Sequence, residues 1–154
     1  MNFLTITNGI LRFIEIWESE LTQLPQDIVT NRLNGQNRSI KQILGHLIDS
    51  AANNHQRMVR LQYNKVLVFP DYQQDNDLWI ALQDYQNGDW LSIIQLWKGY
   101  NLHIIQVIKS VDHSKLDNYW QNFEGSPVTL RQMIAGYLEH LELHFIEIRE
   151  LINR

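Results

Sequence analysis

Apolar residues recur at helical spacing along four long stretches of this chain, with polar or proline- and glycine-marked connections between them. In the first stretch Ile6, Ile10, Phe13, Ile14, Trp17, Leu21 and Leu24 predict a helix over about residues 5–22, which Pro25 ends. The polar run to Arg38, with its Asn-Gly turn, reads as a solvated loop. The second helix opens at Ser39 with Gln42 as capping-box partner and extends to about Tyr63. Ile40, Ile43, Leu47, Ala51, Met58 and Leu61 mark its buried side. The third begins at Asp89, a natural N-cap, and runs to about Val111 over Trp90, Ile93, Ile94, Trp97, Ile104 and Ile108. The last is capped by Thr129 and Gln132 and continues to Ile152, its stripe drawn by Leu130, Met133, Ile134, Tyr137, Leu141, Phe145, Ile148 and Ile152.

The connection over residues 64–89 is too long for a hairpin between adjacent antiparallel helices, so it predicts a crossover along the bundle. Asp77 to Tyr85 can form a short helix inside it, and Phe69, Tyr72 and Trp79 offer aromatic cover for the core or a pocket wall. Between the third and fourth helices, Trp120 and Phe123 are expected to tuck under the bundle end. The starts SIKQILGHL and TLRQMIAGYL resemble each other, which duplication or shared capping chemistry explains equally well. No linker divides the chain, so residues 1–154 read as one all-α, four-helix domain.

The polar residues that interrupt these stripes carry the candidate chemistry. His140 and His144 lie one turn apart inside the last stripe, and His46 sits beside the second. His55, His103 and His113 fall away from the buried faces. Imidazoles aimed into an apolar core need a partner, and a metal ion or core hydrogen bonds would each serve. Neither the zincin pattern H-E-x-x-H nor the Glu-x-x-His of ferritin-like di-iron bundles occurs. Ser50, Asn54 and Arg57 break the second stripe and either open a cavity or form a solvated rim. Asn101 falls within the third stripe, where a polar side chain needs a partner. Arg57 and Asn101 would contact substrate if their stripes face one cavity. Asp49, near His46, is the candidate ligand-orienting carboxylate or general base, or else a solvated helix carboxylate.

Composition narrows the function. The chain has 154 residues, 44% of them hydrophobic, enough for a substantial core. It has no cysteine, so no thiol of its own can act as nucleophile or metal ligand. A net charge of −4 without a basic run argues against a phosphate-tracking nucleic-acid surface. No apolar run approaches the ~20 residues that span a bilayer, and the N-terminus lacks a signal-peptide pattern, so a cytoplasmic protein without a membrane partner is expected.

With H-L-I-D in the second helix, H-L-E-L-H in the fourth and the aromatic, acidic connector FPDYQQDNDLW between them, the chain resembles the DinB-like metal-binding family over nearly its whole length. The resemblance implies an up-down-down-up four-helix bundle with a long crossover between its second and third helices. It also implies a divalent ion held by three histidines, which by position are His46, His140 and His144. Zinc and nickel both suit imidazole donors. The family includes thiol S-transferases and isomerases that use low-molecular-weight thiols, and members named as hydrolases. The expectation is therefore a metal-dependent thiol S-transferase acting on a small electrophile, with a thiol cosubstrate. The alternatives are a metal-dependent hydrolase and a non-catalytic metal-binding or stress-response protein. A homodimer is expected from the resemblance and from the abundance of tryptophan and tyrosine.

Overall fold

The computed structural model describes residues 3–68, 75–122 and 124–154. Its four long helices are α1 (Leu4–Leu21), α3 (Ile40–Arg60), α5 (Trp90–Lys109) and α6 (Leu130–Ile152), within a residue or a turn of the expected bounds. Two short helices, α2 (Gln26–Asn31) and α4 (Asn76–Leu82), lie in the connections. The caps behave as their residue types dictate. The Ser39 and Thr129 side chains each accept from the backbone N–H three residues on, and Gln42 and Gln132 reach back to complete both boxes. The Asp89 carboxylate accepts from the Ser92 N–H.

α1 and α3 each pack against both α5 and α6, and one apolar core joins the four. Its aromatic centre is Phe145, whose ring lies 4.5 Å from Trp17, 5.3 Å from Trp97 and 4.9 Å from Phe13, centroid to centroid. Asn101 is fully buried among these residues. Its amide nitrogen donates to the Trp97 carbonyl at 2.8 Å and its oxygen accepts from the Tyr137 hydroxyl at 2.9 Å, so the required partners come from the core itself.

Three features depart from the sequence expectation. The segment after Pro25 is not all loop, because Pro25 caps α2 rather than simply ending α1. α2 is only six residues long and buries only Val29, too few positions for a period to show. The chain is also not purely helical. β1 (Val66–Leu67) pairs parallel with β2 (Tyr119–Gln121), which pairs antiparallel with β3 (Pro127–Thr129), in register Val66↔Tyr119 and Tyr119↔Thr129. Strands of two or three residues are too short for alternation to register, and the β1–β2 partners, more than fifty positions apart, leave no local trace. Finally, the last turn of α6 buries Leu151 rather than Ile152.

The sheet closes one end of the bundle. Half-buried Trp120 projects from β2, and the Arg57 guanidinium lies over its ring at 3.9 Å, which fills the expected place under the core. Phe69, Tyr72 and Phe123 lie outside the described residues. At the other end, the loop after α2 clamps α6. Arg32 donates to the carbonyls of Leu151 and Ile152, satisfying acceptors that the helix end leaves free.

Candidate metal centre

His46 belongs to the first turns of α3, and His140 and His144 to the middle of α6. α3 packs on α6, and this contact brings the three rings together. Ring centroids are 4.8 Å apart for His46 and His144, 5.0 Å for His140 and His144, and 6.4 Å for His46 and His140. Leu47 and Leu44 beside His46, and Leu141 and Phe145 beside the other two, are core residues at most 2% exposed. That packing fixes both helix faces and leaves the rings at the rim. His46 is buried, but His140 and His144 are half-buried, so they border the core stripe rather than lie inside it as expected.

One candidate donor nitrogen from each ring lies within 4.8 Å of the other two. Bonds of ~2.1 Å at tetrahedral angles need donors ~3.4 Å apart, so small side-chain rotations close the triangle. The donors are also in the right protonation state. Burial pushes the His46 imidazole down to about 3 and His140 down to about 4, and their neighbouring imidazoles add to both shifts. Burial lowers His144 as well, against the opposing carboxylate of Glu147. The Arg38 guanidinium disfavours protonation of His46 and His144 further.

The surrounding residues orient the rings. His144 Nδ1 is 3.1 Å from Glu147 Oε1, whose other oxygen accepts from the Asn34 amide at 2.7 Å. With the ring neutral, this contact assigns the proton to Nδ1 and leaves Nε2 for a metal. Asn34 is in turn held by its own loop, accepting from the Arg38 backbone N–H. Glu147 went unnoticed in the sequence, although an H-x-x-E spacing on one helix face is the available signal. Asp49 is 4% exposed, and its Oδ1 accepts from Gln83 at 2.7 Å and from the Tyr85 hydroxyl at 2.9 Å. Burial raises its carboxyl above the usual range, partly offset by those two donors. The solvated-carboxylate alternative for Asp49 is thereby removed.

Two buried polar atoms near one another in sequence lack a hydrogen-bond partner among the described residues: His46 Nδ1 and Asp49 Oδ2. Buried groups of this kind normally find a protein, water or ion partner. An orphaned imidazole nitrogen beside two further neutral imidazoles fits the requirements of a divalent metal. Asn101 and Arg57 are not drawn into this cluster by their described contacts. The first pairs with Trp97 and Tyr137, and the second stacks on Trp120. Ser50 and Asn54 are half-buried and bonded to each other along α3 at 3.3 Å.

A helical bundle with a rim of three neutral histidines defines a candidate metalloprotein of open coordination. The model of the DinB superfamily matches residues 12–148, and the chain belongs to that superfamily. A protein of Halalkalibacterium halodurans named "Putative metal-dependent hydrolase BH0277" is 24% identical over 152 residues, covering 92% of this chain and 87% of that one. Among solved structures, the fold is similar to that of YfiT from Bacillus subtilis, described as "a probable metal-dependent hydrolase with an unusual four-helix bundle topology". The TM-score is 0.79 at 17% identity, over 96% of this chain and 86% of YfiT. It is also similar to the mycothiol-dependent maleylpyruvate isomerase, with a TM-score of 0.76 at 8% identity, over 96% of this chain and 61% of that one.

The histidine shifts predict an acid-sensitive metal-free protein. Unfolded imidazoles titrate near 6.5, whereas His46 and His140 stay neutral in the fold down to about 3 and about 4. Between those limits the unfolded chain binds more protons, so stability is fully present above about pH 6.5 and falls on acidification. Because pH 5 lies about 1.5 pH units below the unfolded pKa and above both folded values, each imidazole costs up to ~2 kcal/mol there relative to neutral pH. Asp49, shifted the other way, offsets part of this. Urea unfolding of metal-free protein at pH 7 and pH 5 should show the drop, and His140→Gln should reduce it.

Proposed function

We propose that this protein is a metal-dependent hydrolase acting on a small molecule, with one divalent ion held by His46, His140 and His144. The observation that carries this reading is the convergence of three neutral imidazoles from two helices at the rim of the core. Three protein ligands leave coordination open, as catalytic rather than structural sites do. Zinc and nickel remain equal candidates by ligand type. When bound, the ion supplies Lewis-acid polarisation and lowers the pKa of a water by several units. The residues do the rest. Glu147 holds the proton of His144 on Nδ1 and so aims Nε2 inward. Asp49, with Oδ1 fixed by Gln83 and Tyr85 and Oδ2 without a partner among the described residues, can accept a proton leaving the nucleophile. Its raised pKa brings it nearer to neutral pH, which suits a base.

The reading treats the chain as one domain, supported by a single apolar core. It takes the helices in up-down-down-up order with a crossover between α3 and α5. Support comes from Glu18 meeting Lys98, which sets α1 against α5, and from Phe13 and Glu20 meeting Phe145 and Arg149, which sets α1 along α6. A homodimer is part of the proposal. Exposed Leu143 and Ile146 on α6 are apolar surface available for it.

Thiol transfer is the second reading, favoured by the likeness of the fold to that of a mycothiol-dependent isomerase. The chain has no cysteine, so the sulfur would arrive on a cosubstrate. Untagged, metal-loaded protein incubated with ester, amide and epoxide substrates, with and without small thiols, separates the two. Metal-dependent hydrolysis that needs no thiol and is lost in His46→Ala supports the hydrolase. Conjugates that form only with thiol replace it with transfer, and inactivity throughout removes both.

A further inference from the structure

A second histidine pair lies elsewhere on the bundle. His55 on α3 and His103 on α5 approach with ring centroids 4.8 Å apart and planes at 72°. These are the same separation and angle that His46 and His144 show within the candidate metal centre. The pair sits on rigid elements. His55 is flanked along α3 by buried Ala51 and Met58, and His103 is followed on α5 by buried Ile104. Core packing therefore sets the spacing of the two backbones, and only side-chain rotation separates this arrangement from joint ligation.

The rings line a groove of about 490 Å³ with Gln56, Gln95, Leu96, Gly99 and Tyr100. No lysine or arginine is among these lining residues, so none of them places a cation opposite an incoming ion. Gly99 has open space where a Cβ would stand, which leaves the groove clear above the rings. Burial and the neighbouring His103 lower the His55 pKa, which favours the ligating, neutral form.

We propose that His55 and His103 form a second cation site, for a late first-row divalent metal bound through two imidazole nitrogens. Imidazole donors favour copper, nickel and zinc over magnesium and calcium, which take oxygen ligands. Two protein ligands leave at least two coordination positions to water or to a ligand entering the groove. With one imidazole fewer than the first centre, the site binds more weakly and fills second. It shares no residue with the His46, His140 and His144 cluster and stands whether or not that cluster holds metal.

The test uses untagged, metal-stripped protein titrated with Ni²⁺ or Zn²⁺ by calorimetry, with Mg²⁺ as control. The native protein should take up two equivalents and His103→Ala one, with the weaker event lost. His103 is exposed, so this variant should fold normally. In a His140→Ala, His144→Ala background one weak equivalent should remain, and adding His55→Ala should weaken it by at least about tenfold, as removal of one of two ligands requires. Cu²⁺ bound in that background should show nitrogen hyperfine splitting in its electron paramagnetic resonance spectrum. A weak event that survives both His55→Ala and His103→Ala overturns the proposal, as does its absence from the native protein. If the first centre does not bind metal, native protein shows a single weak equivalent that vanishes in His103→Ala and persists without His140 and His144. That outcome separates the two claims.

Discussion

Replacing His140 and His144 together with alanine is expected to abolish tight divalent-metal binding and, with it, the stabilisation that metal confers. Two of three imidazoles disappear from one rim, and the surviving His46 cannot hold an ion alone. A ligand present at 100 to 1,000 times its dissociation constant stabilises the native state by about 3–4 kcal/mol. For a chain of this size each kcal/mol moves the midpoint by about 2–4 °C. Chelation should therefore lower the Tm of native protein by about 6–16 °C and leave that of the double variant nearly unchanged. Differential scanning calorimetry with and without chelator, beside elemental analysis of untagged protein, reads both quantities. If the histidines serve only as core polar groups, native protein will show no chelator response, and the metal reading fails.

The second large effect is expected from Gly45→Ala, a change of one methyl group next to a metal-ligand candidate. A Cβ at position 45 would stand 2.7 Å from Tyr85 Cε2 and nearer still to Cγ and Cδ2, inside van der Waals contact with the ring. The missing side chain is what lets Tyr85 lie against α3 and donate its hydroxyl to Asp49. Displacing that ring takes a donor from a buried carboxylate that already has one unpartnered oxygen. The variant should lose about 2–4 kcal/mol in urea unfolding, from overpacking plus the broken hydrogen bond. Tyr85→Phe keeps the ring and removes only the hydroxyl, so it should cost less, about 1–2 kcal/mol. Equal losses for the two variants would show that the close approach of Tyr85 is not what Gly45 provides.

These expectations differ in how far the sequence alone could reach them. The four long helices were legible because each carries its own period of apolar positions and its own cap, and both are local properties. The histidine triad was legible in part. His140 and His144 are one turn apart on one helix, but nothing local ties them to His46, nearly a hundred residues earlier. Their inward faces single out these three of the six histidines and resemblance joins them as one site, while the packing of α3 on α6 supplies the physical basis.

Tertiary structure decided the rest, for reasons of distance and scale. Asp49 could be read as solvated or buried until Gln83 and Tyr85, from a different segment, were seen to hold it. Asn101 in an apolar stripe implies a partner, and only packing shows that Trp97 and Tyr137 supply its hydrogen bonds. His55 and His103 each look like surface residues on their own helices, and their meeting exists only in the contact between α3 and α5. The small sheet and α2 leave little trace in the sequence because two to six residues are too few to show a period, and β1 meets β2 only across more than fifty positions. Local periodicity and capping thus set which segments are helical and which faces are apolar. Which polar groups meet, and hence where chemistry can occur, depends on contacts between segments that the order of residues does not contain.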